Sequence, residues 1–131
     1  MSGLFDTIGI SGSGLTVDRK WMDAISDNLS NESDTVSGNQ PAFATRYVQA
    51  QAAPGGGTEV VGVKYGDSQG ILAYDPTNPQ ADKAGYVRHA NVDMSSQMTQ
   101  MIMAERGYEA NLSVITRATA AYQQALQLGK G

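Results

Sequence analysis

Residues 91–128 read NVDMSSQMTQMIMAERGYEANLSVITRATAAYQQALQL, and in them Met94, Met101, Tyr108, Ile115 and Tyr122 fall seven positions apart. Met98, Leu112, Thr119 and Leu126 follow four residues behind members of that series. A seven-residue apolar period lays a seam along one side of an α-helix, and only another helix buries such a seam. Asn91 or Asp93 can accept hydrogen bonds from the free N–H groups of a first turn, and Gly129 is a natural stop. The spacing therefore predicts a helix ending near Leu128. About 36 residues at 1.5 Å rise span about 54 Å, too long for a small body to hold alone. The helix needs a partner.

A second series with the same period, Met1, Ile8, Leu15, Met22 and Leu29, opens the chain. It predicts a helix from about Leu4 to Leu29. Gly9, Gly12 and Gly14 each cost about 1 kcal/mol relative to alanine inside a helix, so the front half is expected to stay unfolded until a partner buries it. From Leu15 onward the pattern is firmer: Leu15, Met22, Ile25 and Leu29 share one side, with Asp18, Arg19, Asp23 and Asp27 more exposed. Asn28-Leu29-Ser30-Asn31, then Glu32 to Gln40, end the helix in turn-forming residues.

Between the helices, from about Pro41 to Arg88, short β-prone pieces alternate with turns. Val61, Val63 and Tyr65 alternate with Gly62 and Lys64, and Ile71 to Tyr74 is bounded by Gly70 and Asp75-Pro76. Phe43 to Val48 is a third candidate strand, and Pro54-Gly55-Gly56-Gly57 is a flexible connector. Asp75 to Gly85 is expected to be an ordered loop returning the chain to the helical layer. The predicted organisation is an N-terminal helix over 1–33, a β-rich or irregular middle region over 34–90 and a C-terminal helix over 91–131. The fold class is mainly α, with the long terminal helices packed as a coiled-coil-like pair in an assembly.

A chain of 131 residues can bury one modest core. Its net charge of −4, with nine Lys plus Arg scattered along it, makes no basic stripe, so nucleic-acid binding is not expected. The absence of cysteine excludes disulfides, thiolate zinc sites and Cys nucleophiles. No Lys or Arg precedes Arg19, and glycines interrupt the place of an apolar signal-peptide core, so no cleaved signal is expected. Apolar runs such as Met101 to Ala104 are too short for membrane insertion.

Chemistry-bearing constellations are sparse. His89 is the lone histidine and, beside Arg88 and just before a helix, is read as a surface or capping residue. Asp75, Asn78 and Asp82 do not follow the spacing of a calcium-binding EF-hand loop, and Asx-turn chemistry accounts for them. Gly12-Ser13-Gly14 lacks the third glycine of a dinucleotide fingerprint, whose place Val17 takes, and Gly55 to Gly57 is followed by Thr58-Glu59 rather than a phosphate-loop lysine. Met94, Met98, Met101 and Met103 crowd the start of the last helix without the Cys or His that a soft-metal site needs. No catalytic, cofactor-binding or metal site is expected.

The candidate functional residues are interfacial instead. On the first helix they are Ile8, Leu15, Met22, Ile25 and Leu29. On the last they are Met94, Met98, Met101, Met103, Arg106, Tyr108, Ala110, Asn111, Leu112, Val114, Ile115, Ala121, Tyr122 and Leu126. At 100° per residue the last helix carries two apolar bands. Met94, Met98, Met101, Tyr108, Leu112, Ile115, Thr119 and Leu126 form the first, which includes Glu105. Met103, Ala110, Val114, Ala121 and Leu128 form the second, flanked by Arg106 and Arg117. The two alanines of the second band assign it to the tighter contact.

The residues Ile10-Ser11-Gly12-Ser13-Gly14-Leu15, Arg19, and Met22-Asp23-Ala24-Ile25-Ser26-Asp27-Asn28-Leu29-Ser30-Asn31 resemble the opening motif of bacterial flagellar axial proteins. Asn91-Val92-Asp93, Met98, Met101-Ile102, Arg106, Tyr108-Glu109-Ala110-Asn111 and the closing Ala125-Leu126 with Gly129 resemble their terminal motif. The short length and the run Tyr74-Asp75-Pro76, Pro79, Asp82 and Gly85-Tyr86-Val87-Arg88 look like the basal-body rod proteins of the proximal-rod C type. The likeness covers nearly the whole chain. Departures concentrate from Glu32 to Gln51, where a Thr-Thr turn and a basic, aromatic stretch are usual, and Gly107 sits unhelpfully inside a helix.

The resemblance implies a non-enzymatic subunit of the flagellar rod in the basal body, crossing the periplasm. It implies export by the flagellar type III apparatus without cleavage. The implied partners are other rod proteins, the rod–membrane-ring junction protein, the membrane ring and further copies of the chain. A needle subunit of a related type III secretion system is the alternative, although such a subunit is a shorter helical hairpin without the β-prone insert. A small ligand-binding or enzymatic β-domain flanked by oligomerising helices would need polar residues converging in a pocket, which the sequence does not offer.

Overall fold

The computed structural model describes residues 2–130, so Met1, the first member of the N-terminal series, lies outside the described residues. Helix α1 (Ser2–Ser30) and helix α2 (Met94–Leu128) enclose five strands: β1 (Thr35–Ser37), β2 (Arg46–Ala52), β3 (Thr58–Tyr65), β4 (Ile71–Tyr74) and β5 (Tyr86–His89). At the start of α2 the Asp93 carboxylate accepts from the Ser96 N–H over 3.1 Å, which satisfies one of the helix's free donors. At the other end the Gly129 N–H donates to Ala125 O over 3.0 Å. Gly129 keeps a right-handed φ of −75°, so it closes the helix without the left-handed turn that usually selects glycine there.

The partner that the long helix requires is supplied by the chain itself. Phe5 meets Tyr122 edge-on with ring centroids 5.4 Å apart. Trp21 Nε1 donates to Gln100 Oε1 over 3.4 Å, and Asn28 Nδ2 donates to Gln97 Oε1 over 2.8 Å. As numbering rises on α1 it falls on α2, so the helices run antiparallel along most of their length. The front half of α1, with its three glycines, is helical from Ser2 onward with α2 alongside.

On its other side α1 carries the hairpin β2–β3, whose strands pair antiparallel from Arg46↔Tyr65 to Ala52↔Thr58 with a bulge between Gln49 and Ala50. Gly56 and Gly57 take φ of +95° and +82° in the connecting turn, the left-handed region that favours glycine. The turn rests on α1, where Ser13 Oγ accepts from the Thr58 N–H over 3.0 Å. The result is three layers, α2 on α1 on a two-stranded sheet. A hairpin alone is marginal in water, and α1 gives it a face to cover.

The remaining strands form a sheet in the order β1-β5-β4, all antiparallel. It grows from the end of the helix pair where α1 stops and α2 starts, around the fully buried Val87, with Ala42 and Ala90 also buried. Two of its strands differ from the expectation. Thr35-Val36-Ser37 lies within the run assigned to turns, yet it pairs with Val87 to His89. Tyr86 to His89 likewise forms a central strand rather than a direct entry to the helix. Both are short, and neither alternates enough to betray a strand by period alone. His89 Nδ1 lies 2.8 Å from Thr35 Oγ1, so the histidine holds two strands together.

Asp75 to Gly85 is an ordered loop, as expected. Thr77 Oγ1 donates to Asp75 Oδ1 over 2.9 Å, Asn78 Nδ2 to Asp75 Oδ2 over 3.3 Å, and the Tyr86 N–H to Asp82 Oδ1 over 2.9 Å. Asx-turn chemistry accounts for Asn78 and Asp82, whose side-chain oxygens accept from the Gln80 and Ala84 N–H groups over 3.0 and 2.9 Å, whereas Asp75 is held by the Thr77 and Asn78 side chains.

Candidate assembly interface

The α1–α2 seam follows a strict alternation of three and four residues. On α1 it runs Leu4, Ile8, Ser11, Leu15, Asp18, Met22, Ile25, Leu29, and on α2 Gln97, Met101, Ala104, Tyr108, Asn111, Ile115, Ala118, Tyr122; each is buried or half-buried. The predicted heptad series from Met101 to Tyr122 is thus the correct spine. Its companions lie three residues later, at Ala104, Asn111 and Ala118, and not four later at Leu112, Thr119 and Leu126. The companions are small or polar, so a search for large apolar residues passes over them; the alternating step of three and four would have found them.

Small companions let the helices approach closely. Ala104 is fully buried, and Ser11 and Ala118 nearly so. A β-carbon at Gly14 would stand 2.5 Å from Asn111 Nδ2, so only glycine leaves room for that amide. Asn111 Nδ2 in turn donates to Asp18 Oδ2 over 3.0 Å. Asn28, 1% exposed, does more: its Nδ2 donates to Arg46 O over 2.9 Å and to Gln97, while its Oδ1 accepts from the Arg46 N–H over 2.8 Å. One side-chain amide thereby imitates a neighbouring strand for β2 and also bridges the two helices. The Asp27–Arg46 ion pair beside it is about half exposed, which makes it a weak contributor.

Of the predicted interface residues, Ile25 is buried in the seam, and Ile8, Leu15, Met22, Leu29, Met101, Tyr108, Asn111, Ile115 and Tyr122 are half-buried. The others lie outside it. Met94, Met98, Leu112 and Leu126 form one exposed shoulder beside the seam on α2, with Glu105 among them; Met103, Ala110, Val114, Ala121 and Leu128 form the opposite shoulder. The second band therefore does not make the contact with the chain's own α1; the face carrying Ala104, Tyr108, Asn111, Ile115, Ala118 and Tyr122 makes it. Arg106 and Arg117 are exposed. Among the described residues the one ion pair is Asp27–Arg46, and neither arginine pairs with a carboxylate there.

Grooves open on both flanks of the hairpin. Lys20, Asp23, Asp27, Arg46, Val60, Val63 and Tyr65 line one, and Val17, Asp18, Trp21 and Ala50 the other, with Val48 reaching both. Neither gathers a nucleophile with a base. Among the described residues no three His, Cys, Asp or Glu side chains cluster as metal ligands, and no helix is long and apolar enough to cross a membrane.

Comparison with known proteins places the chain in a family. The sequence profile described as "Flagellar basal body rod FlgEFG protein C-terminal" matches residues 83–128, which take in the end of the ordered loop, β5 and α2. The chain is 36% identical over 133 aligned positions to the flagellar basal-body rod protein FlgC of Escherichia coli O6:H1, covering 97% of this chain and 98% of that protein. It is 31% identical over 147 positions to FlgC of Bacillus subtilis, covering 96% and 98%. The match to FlgC of Borreliella burgdorferi is 34% over 151 positions, covering 98% and 99%. With both helices, the insert and the identities extending over nearly the full length of these relatives, the chain belongs to the FlgC family of flagellar basal-body rod proteins.

Proposed function

We propose that this chain is a structural, non-catalytic subunit of the flagellar proximal rod, polymerising through its terminal helices into the drive shaft of the basal body. The observation that carries the polymerising role is the pair of apolar shoulders left uncovered on α2. Met94, Met98, Leu112 and Leu126 are 45–56% exposed on one side, and Met103, Val114 and Leu128 are 39–83% exposed on the other. Fully burying a side chain of this size is worth about 1.5–3 kcal/mol. Half-exposed side chains therefore hold several kcal/mol in reserve, enough to drive association of neighbouring helices.

Each shoulder takes a helix of a neighbouring subunit, giving a wall in which α2 is covered all round. In that wall residues 1–33 and 91–131 are the axial helices and residues 34–90 the insert. The predicted interface residues outside the seam, among them Arg106, Ala110 and Ala121, face those neighbours. The partners are other rod proteins, the rod–membrane-ring junction protein, the membrane ring and further copies of the chain. The route out of the cell is the flagellar type III export apparatus, with no cleaved signal, and the location is the rod where it crosses the periplasm. A front half of α1 weakened by Gly9, Gly12 and Gly14 suits a chain that threads a channel before it folds.

A cryo-EM map of isolated basal bodies tests this. Density for the chain in the rod, with Leu112 and Val114 both buried against other subunits, is the expected result. Its absence from the rod, or either shoulder facing water there, would refute the proposal.

A further inference from the structure

We propose that the two polar layers in the α1–α2 seam act as a register lock, restricting α1 to one antiparallel alignment with α2 and excluding slipped and like-with-like pairings. The problem they answer follows from the seam itself. Both helices repeat apolar residues every seven positions, so a shift by one heptad would again place apolar against apolar. Pairing α1 with another α1, or α2 with another α2, would do the same. Apolar burial is non-directional and does not choose among these alignments.

The polar layers do choose. In the first, Asn111 Nδ2 donates to Asp18 Oδ2 over 3.0 Å. Gly14 and Gly107 flank this pair, and a β-carbon on either would press on Asn111 or Asp18. In the second, Asn28 and Gln97, 1% and 3% exposed, meet over 2.8 Å. A slip of one heptad would break both pairs at once and move the two glycines away from the groups that need their space. Because α1 brings the carboxylate and α2 the amide, like-with-like pairing also leaves Asp18 without its donor. A polar group without a partner is strongly disfavoured when buried, as Asn28 and Gln97 are, and disfavoured to a lesser degree when half-buried, as Asp18 and Asn111 are. A polar residue at a core position of a coiled coil is a known way to set register at some loss of stability. Asn28 adds a fixed reference, since it is also bonded to the backbone of Arg46. The alignment of α2 is thereby tied to the insert. The lock concerns a single chain and stands independently of polymerisation into a rod.

The absence of native cysteine allows a direct test in the full-length chain. Phe5→Cys with Tyr122→Cys reports the native register, and Phe5→Cys with Ile115→Cys reports a slip of one heptad. Both pairs are treated with a short thiol cross-linker. In the otherwise native chain the slipped reporter is expected to cross-link at least tenfold less than the native one. In the Leu pair Asp18→Leu/Asn111→Leu, made together with Gln97→Leu so that both polar layers are removed while Asn28 keeps its bonds to the Arg46 backbone, the two yields should come within about threefold of each other, with helicity by circular dichroism retained. The exchanged pair Asp18→Asn/Asn111→Asp keeps a donor facing an acceptor and should restore native-only cross-linking. The proposal is overturned if the Leu pair keeps the native-only pattern, or if the exchanged pair slips as freely as the Leu pair. Loss of helicity in the Leu pair would overturn it too, because a lock of this kind lowers stability rather than supplying it.

Discussion

Gly107 lies against Asp18: a β-carbon at residue 107 would stand 3.0 Å from the Asp18 carboxylate, whose other oxygen receives the Asn111 amide at 3.0 Å. A glycine that weakens α2 locally thus leaves room for a cross-helix polar contact. The glycines of α1 divide on the same criterion. Gly14 faces Asn111, whereas Gly9 and Gly12 have nothing within 4 Å of the missing side chain.

Alanine substitutions should therefore have opposite signs. Gly9→Ala and Gly12→Ala should each stabilise the isolated chain by about 0.5–1 kcal/mol, the ordinary gain for a helix interior. Gly14→Ala gains the same propensity but forces Asn111 off Asp18, a contact to a charged group worth about 1.5–3 kcal/mol. A net loss of about 1 kcal/mol is expected. Urea denaturation followed by circular dichroism decides it, and a stabilising Gly14→Ala would show that the helices separate more easily than the seam suggests.

Asn28→Ala should be the most damaging single polar substitution in α1. It removes three hydrogen bonds and strands the backbone N–H and C=O of Arg46 together with Gln97 Oε1. The expected loss is about 3 kcal/mol. Asn31→Ala removes one exposed bond to Asp27 O and should change stability by less than about 1 kcal/mol. Equal losses at the two positions would contradict the central role of Asn28.

Val114→Asp and Ala121→Asp place a charge on one exposed shoulder of α2, and Leu112→Asp on the other. None touches the seam, so each chain should fold and be exported. Each should fail to enter the rod and should abolish motility. Recovery of the variant chains outside the cell, with rods lacking them, is the measurement. Motile cells carrying any of the three would show that the shoulder concerned is not an interface.

Asp75 provides a pH test of the loop. Hydrogen bonds from the Thr77 hydroxyl and then the Asn78 amide hold its carboxyl below the ordinary value. A depressed folded-state pKa means that the contribution is present above the unfolded value and is lost as pH falls through the folded one. The NMR signal of the Asp75 side-chain carboxyl carbon should show a midpoint below about 4, the usual carboxylate value. Asp75→Ala should abolish that acid transition. A midpoint above the ordinary value would contradict the bonding seen here.

Much of the fold was legible because helix period is a strong signal. The heptad from Met101 to Tyr122, the cap at Asp93 and the strand from Ile71 to Tyr74 appear where they were expected. What escaped was carried by weakly hydrophobic residues. Ala104, Ala118, Ser11 and Gln97 are buried where α1 meets α2; a step of three and four picks out their positions, but their small or polar side chains do not announce it. Strands β1 and β5 are defined by each other across about fifty residues, beyond any local window. Asn28 looked like part of a helix terminus because its second partner, the Arg46 backbone, comes from another layer. The second exposed shoulder of α2 was legible as an apolar band, whereas the first band mixed the exposed Met94, Met98, Leu112 and Leu126 with Met101, Tyr108 and Ile115 of the seam.

The antiparallel pairing also imposes an order in time. Asp18 and Asn111 are 93 residues apart, and Asn28 and Gln97 are 69 apart, so the seam closes through contacts that are among the most distant in the chain. During synthesis the N-terminal segment emerges first. For most of that period α1 has no α2 to meet, and its glycines keep it a poor helix alone. Closing so large a loop is slow compared with forming a hairpin from neighbouring strands. The hairpin β2–β3 can therefore form early, while the helical seam waits for the final quarter of the chain. The availability of α2 is therefore what permits the molecule to shut.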